Sequence, residues 1–220
     1  MVIEIRPLVF SVPGFLLFSC IIIYLCYSFC MNIFELVTKN RSYRRFQQSE
    51  PISMQQLRNL VDLARLSPSA GNLQPLKFFL SNDPRGNEAI FSCLTWESYI
   101  KDSPGPNEGK RPAAYIVTLG DTSITKDFGC NHGIAAQSIL LGATEMGFGG
   151  YMFAEIKHDQ LRSLLKIPTR YQILMVIALG VPRERVVITD AKNGEIKYWR
   201  DINKVHYVPK RPLDEIILDL

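Results

Sequence analysis

A single α/β domain is what this sequence predicts, on three observations: 220 residues with a 47% apolar composition, helix-period segments that begin at recognisable caps, and short apolar runs bounded by turn residues. That length is enough for one domain with a substantial core. No internal repeat and no low-complexity segment interrupts it.

The first 30 residues stand apart from the rest. From Leu8 to Cys30 the chain carries no charge and is rich in Leu, Ile, Phe, Val and Tyr, long enough to cross a bilayer of roughly 30 Å as a helix. Arg6 precedes this stretch, whereas Lys39, Arg41, Arg44 and Arg45 follow it, which sets the domain on the cytoplasmic side. A signal peptide fits less well, because no small-x-small cleavage site is evident. Pro13-Gly14 also interrupts a regular helix. The alternative is a domain that starts at Met31, with the apolar stretch as upstream sequence. Both readings divide the chain into an apolar segment, 1–30, and a domain, 31–220, and the expected location is cytoplasmic or membrane-anchored with a cytoplasmic domain.

Within the domain, Ile33, Phe34, Leu36 and Val37 make a short helix over 32–38 that delivers the arginine cluster. Ser53-Met54-Gln55-Gln56 has the form of a capping box. It opens a helix in which Leu57, Leu60, Val61 and Ala64 share one face, and Pro68 stops it. Leu76 to Leu80 and Ala114 to Leu119 read as buried strands. Between them, Thr95 to Pro112 is irregular and holds Trp96, Tyr99 and several Pro and Gly residues, the composition of a lid or equally of a surface loop whose aromatics cover core. Asn131 to Met146 is a strongly apolar helix whose end at Gly147 predicts a left-handed cap. Gly149-Gly150-Tyr151 follows. Ile173 to Leu179 is another buried strand, closed by Gly180-Val181-Pro182; Val186 to Ile188 is a short one, and 190–207 is polar and turn-rich. A short helix over 213–217 ends the chain.

Charge and cysteine usage exclude several classes. The formal charge of +4 is modest, and no basic stripe interleaved with aromatics suggests a nucleic-acid binder. Three of the five cysteines lie in the apolar stretch, leaving Cys93 and Cys130 far apart in sequence, which reads as buried, reduced thiols. No Cys/His array has metal-ligand spacing, so no metal site is expected. The three histidines, His132, His158 and His206, form no group that would serve a hydrolase.

Two segments carry chemistry. Arg41-Ser42-Tyr43-Arg44-Arg45 puts three guanidiniums within five residues, and Arg offers a planar, permanently charged fork of donors suited to phosphate. Arg41 and Arg45 are the candidates, with Ser42 as a hydroxyl donor; alternation along extended backbone turns Arg44 elsewhere. In Pro68-Ser69-Ala70-Gly71-Asn72-Leu73-Gln74-Pro75, small residues let backbone approach a flat heterocycle, and Ser69, Asn72 and Gln74 offer donors and acceptors. The bland reading of each is a basic surface patch and a helix-stop turn.

The ordered series R-S-Y-R-R-F, A-R-L-S-P-S-A-G-N-L-Q-P, G-F-G-G and V-P-K-R-P-L-D-E-I-I resembles the nitroreductase superfamily of FMN-dependent oxidoreductases, over about residue 32 to the end. The resemblance implies an α+β fold with a mixed, mainly antiparallel central sheet flanked by helices, an intertwined homodimer, and FMN at its interface. It implies that Arg41, Ser42 and Arg45 reach the phosphate, ribityl chain and pyrimidine edge. Pro68, Ser69, Ala70, Asn72 and Gln74 would lie along the flavin, and the backbone of Gly149 and Gly150 would approach the ring near N5. Arg211, in the C-terminal basic pair with Lys210, would reach the phosphate. A ring-contacting lysine soon after the Asn72 turn is missing unless Lys77 supplies it. The implied activity is ping-pong hydride transfer from NAD(P)H through the flavin to a nitroaromatic or quinone, with no catalytic side chain required; the alternative is a flavin-binding or flavin-delivering protein without nicotinamide turnover.

Overall fold

The structure, a computed structural model, describes residues 31–96 and 105–218. The apolar stretch at 8–30 lies outside them, as does Tyr99 of the lid segment. The chain divides into two units, Met1–Glu35 and Leu36–Leu220. Among the described residues no helix is long and apolar enough to cross a membrane.

Helix α1 (Ile33–Lys39) begins with a reciprocal cap, in which the Glu35 N–H donates to Asn32 Oδ1 at 3.0 Å and the Asn32 N–H to Glu35 Oε2 at 3.1 Å. The two-residue strand β1 (Phe46–Gln47) follows. Helix α2 (Met54–Leu66) has the expected capping box, with Ser53 Oγ accepting from the Gln56 N–H and the Gln56 side chain accepting from the Ser53 N–H. Its Leu57, Leu60 and Ala64 are buried, as the helical spacing requires.

The central sheet orders β2 (Leu76–Ser81), β3 (Ala114–Asp121), β5 (Tyr171–Pro182) and β4 (Gly149–Phe153), every neighbour antiparallel, with β1 paired to the C-terminal end of β5. A parallel bridge between Ser42 and Gly150 extends it. All eight residues of β3 are buried. Ala114 and Ile116 enter one core, with α2 and with α4 (Asn131–Glu145). Tyr115, Val117 and Leu119 enter the other, with α3 (Pro84–Phe91) and α5 (His158–Leu165). Helices therefore cover both faces of the sheet, the α+β layering the motif order implied. Gly147 takes φ +80° just past α4, the expected left-handed cap.

Beyond β5, a small sheet orders β6 (Val186–Asp190), β8 (His206–Lys210) and β7 (Trp199–Arg200), parallel between β6 and β8. The chain ends in α6 (Leu213–Ile216). Sequence periodicity does not reveal α3, α5, β4 or β7. Two are eight-residue helices and two are short strands, lengths at which an apolar pattern repeats about twice at most.

Two expectations change. Trp96 does not stand in a lid: it is 1% exposed, with its ring centroid 5.1 Å from that of Phe91 and 4.8 Å from that of Phe153. It anchors the start of that segment in the core. Cys93 is buried as expected, but Cys130 is exposed, because it precedes the first turn of α4 at the surface.

Candidate functional site

The site residues fall into two groups that share no lining. The first is a groove of about 790 Å³ between α2, the turn after it and the edge strand β2. Its lining includes Pro68, Ser69 and Gln74 from the turn, Arg58 and Arg65 from α2, Lys77 from β2, and Asn131 at the start of α4. Such a volume is in the range of cofactor sites.

The turn itself is strained. Gly71, Asn72 and Gln74 have φ of +56°, +54° and +50°, and a non-glycine residue in this region costs of order 1 kcal/mol or more. A hydrogen-bond network holds it: Ser69 Oγ accepts the Gln74 N–H at 3.0 Å and donates to Asn131 Oδ1 at 2.8 Å. Asn131 Nδ2 in turn donates to the Phe128 carbonyl at 2.8 Å. Ser69 thus has its proton committed within the protein. Ala70 and Asn72 are exposed on the 3₁₀ turn, and Gln74 Nε2 donates to the Asn72 carbonyl at 3.1 Å.

The second group gathers the arginine segment and the glycine pair. The Tyr43 N–H donates to the Gly150 carbonyl at 3.0 Å. Gly149 is needed here for close approach: a Cβ there would collide with the Tyr43 ring and stand 2.7 Å from Pro182 Cγ. At Gly150 it would collide with Leu140 and stand 2.9 Å from the Ala178 carbonyl oxygen. Both glycines are buried in β4, so the space over their α-carbons belongs to the protein's own packing.

The three arginines reach different partners. Arg41 donates from Nη2 to the Val37 carbonyl at 2.7 Å, while its Nε is buried with no hydrogen-bond partner. Burial pulls its pKa down from the ordinary guanidinium value, against a smaller opposing effect of Tyr43. Arg44 is buried, with its guanidinium 4.6 Å from the Tyr151 ring centroid and 5.0 Å from that of Tyr198. Arg45 pairs with Glu184 at 3.4 Å and lines a separate cleft that holds neither Arg41 nor Ser42. Ser42 is exposed. Arg211, also exposed, pairs with Glu215 one helical turn on.

One chain thus brings Pro68, Ser69 and Gln74 together in the groove, and Arg41 and Ser42 together beside Gly149 and Gly150, but does not join the two groups. Sequence reasoning missed Arg58 and Asn131. A signal existed for the first: Gln55, Arg58, Asn59, Asp62 and Arg65 form a polar stripe along α2 on the groove side. Asn131 carried none. Lys77 does line the groove, which gives the missing lysine position a candidate.

Comparisons with known proteins point one way. The model of the nitroreductase family matches residues 37–181. A protein of Archaeoglobus fulgidus named as an NADH dehydrogenase/NAD(P)H nitroreductase is 28% identical over 158 residues, spanning 68% of this chain and 85% of its own length. The crystal structure of a nitroreductase family protein from Clostridium novyi NT superposes with a TM-score of 0.60 at 23% identity, covering 81% of this chain and 95% of that one. An FMN-dependent nitroreductase from Clostridium difficile R20291 gives 0.58 at 22% identity, covering 73% and 92%.

Proposed function

From the premise that this chain belongs to the nitroreductase family, and is therefore an oxidoreductase of a flavin-dependent, NAD(P)H-using family, we propose that its flavin is FMN, bound between two copies of the chain. The observation that carries this is Arg41. It presents a half-buried guanidinium whose Nε has no hydrogen-bond partner and which no carboxylate pairs with, among the described residues. A phosphate would satisfy that donor with a charge-assisted bond.

The other residues fit the same ligand. Ser42 adds an exposed hydroxyl beside Arg41. Pro68, Ser69, Ala70, Asn72 and Gln74 present small side chains and amides suited to the edge and face of a flat ring, with Lys77 and Arg58 beside them in the groove. Gly149 and Gly150 contribute backbone, and Arg211 is a further cation for the phosphate. Arg45 is engaged by Glu184, which makes it a support for the Arg41 segment more than a direct ligand.

A homodimer supplies what one chain lacks, since pairing two copies can set the groove of one against the Arg41 edge of the other. Supporting it, Leu213, Ile216, Ile217 and Leu218 at the C-terminus are 57–73% exposed, an apolar run that calls for a covering surface. Bound FMN would supply hydride exchange at its N5, reduced by NAD(P)H and reoxidised in a second half-reaction by a nitroaromatic or quinone. The chain's own residues bind and orient; none is needed as an acid or base.

The test is an absorbance spectrum of the purified protein before and after anaerobic NADH or NADPH. Flavin bands that bleach are expected. Bands that persist would favour a carrier without nicotinamide turnover, and a colourless protein that refuses added FMN would sink the reading.

A further inference from the structure

A second cleft, of about 640 Å³, lies apart from the groove, lined by Gly105, Pro106, Asn107 and Lys110, by Arg183–Arg185 after β5, and by the turn after β7. Six of its lining side chains are basic, Arg45, Lys110, Arg183, Arg185, Arg200 and Lys204, and the one lining carboxylate is Glu184. Such a ring of like charges on a concave wall is repulsive by itself and concentrates anions.

Glu184 does little to oppose an anion, because its carboxylate is saturated from within. It accepts the backbone N–H groups of Arg44 and Arg45 and pairs with the guanidiniums of Arg45 and Arg200, at 4% exposure. It acts as a floor that aims two arginine forks. Among the described residues no carboxylate pairs with Lys110, Arg183, Arg185 or Lys204. Asp201, on the same turn, is turned to the Val205 N–H and the Tyr207 hydroxyl.

The walls are pinned to one another. The Arg183 N–H donates to the Arg45 carbonyl at 2.8 Å, the Phe46 N–H to the Lys110 carbonyl at 2.9 Å, and the His206 N–H to the Arg185 carbonyl at 2.9 Å. Gln48 Oε1 accepts the Gly109 N–H at 2.7 Å and the Arg111 N–H at 3.2 Å. The basic side chains therefore project from four segments tied through backbone, and the site is preorganised.

We propose that this cleft binds vicinal phosphates, the diphosphate of a nucleotide. Its volume exceeds what one phosphate fills and lies in the range for nucleotide-sized ligands. Guanidinium forks bind phosphate oxygens in pairs, and Asn107 and Asn203 add amide groups for sugar hydroxyls. Two sources share this chemistry: the dinucleotide reductant, and a separate nucleotide. The first rests on the proposed function; the cleft itself does not.

The experiment titrates inorganic pyrophosphate into FMN-saturated protein by calorimetry at low ionic strength, for the wild type, for Arg183→Ala/Arg185→Ala and for Lys204→Ala. Both of those arginines and Lys204 are exposed, so the variants retain the fold. Wild-type binding weakened tenfold or more in the double variant, and several-fold in Lys204→Ala, is expected. Absence of wild-type binding, or equal binding in the variants, overturns the proposal. Given binding, a KM for NADPH raised tenfold at unchanged kcat in the double variant identifies the reductant as the source, and an unchanged KM identifies a separate nucleotide. A protein that holds no flavin would defeat the proposed function, while the same titration would still read the cleft.

Discussion

Glu184 grips Arg45 twice: its Oε1 accepts the Arg45 backbone N–H at 3.1 Å, and its Oε2 meets the Arg45 guanidinium at 3.4 Å, across 139 residues of sequence. The same carboxylate accepts the Arg44 N–H and pairs with Arg200 at 3.3 Å. One buried acid thereby ties the arginine segment, the end of β5 and the small sheet together. Removing it takes the shared acceptor from two backbone donors and from the Arg45 guanidinium. Glu184→Ala should cost about 1 to 3 kcal/mol of stability, the range for buried donors left unsatisfied, read as a lower denaturant midpoint; a shift under about 0.5 kcal/mol would show that water replaces the carboxylate.

Arg41→Ala should weaken FMN binding by about 1.5 to 3 kcal/mol, the range for a hydrogen bond to a charged group, or roughly ten- to 150-fold in Kd. Flavin fluorescence quenching in the apoprotein measures it. Full FMN occupancy in the variant would remove Arg41 from the phosphate site.

Gly150→Val tests packing separately from cofactor binding. Its Cβ would collide with Leu140 and sit 2.9 Å from the Ala178 carbonyl oxygen, and backbone cannot swing aside as a side chain can. Overpacking of this kind costs about 1 to 3 kcal/mol. The loss should already be present in apoprotein melts. A variant as stable as the wild type without FMN would contradict the collision.

Gln74→Gly separates a strained backbone from a ligand contact. Gln74 sits at φ +50°, where glycine relieves strain, so apoprotein stability should hold or rise by up to about 1 kcal/mol. FMN affinity should fall at the same time, through loss of the amide. Unchanged affinity would place Gln74 outside the flavin site.

Protonation of His206 should govern acid sensitivity. The ring is 1% exposed, neither nitrogen has a hydrogen-bond partner, and Tyr198 packs on it at 4.9 Å. Burial first, then the nearby Arg200, Arg44 and Arg45, push its pKa down to about 4, against an opposing effect of Glu184. With the folded value below the unfolded one of about 6.5, the unfolded chain binds the proton first as pH falls. Stability is therefore intact above about pH 6.5 and is lost between there and pH 4, by up to about 3 kcal/mol. Urea midpoints across this window check it. His206→Phe should flatten the profile, and an equally steep fall in that variant would assign the effect to other groups.

The parts of this protein whose physics is local were legible in consecutive residues. The Ser53 capping box, the Leu57, Leu60 and Ala64 face, the αL glycine after α4 and the apolar β3 each follow from neighbours within a few residues, and the ordered motifs carried the family. Tertiary structure decided where those motifs point. Only the fold could supply the Tyr151 and Tyr198 rings that receive Arg44, and only Glu184 could draw Arg45 into a cleft apart from Arg41, although alternation would set the two on one face. Similarly, the glycines of β4 are small because Tyr43 and Leu140 press on them, and Trp96 is a core anchor because Phe91 and Phe153 surround it. Phe91 and Leu140 lie five and ten residues from the groups they meet, and the other partners lie tens of residues away or more. Backbone hydrogen bonding and helical period are written in consecutive residues, whereas the aim of a side chain depends on which distant surface arrives to meet it.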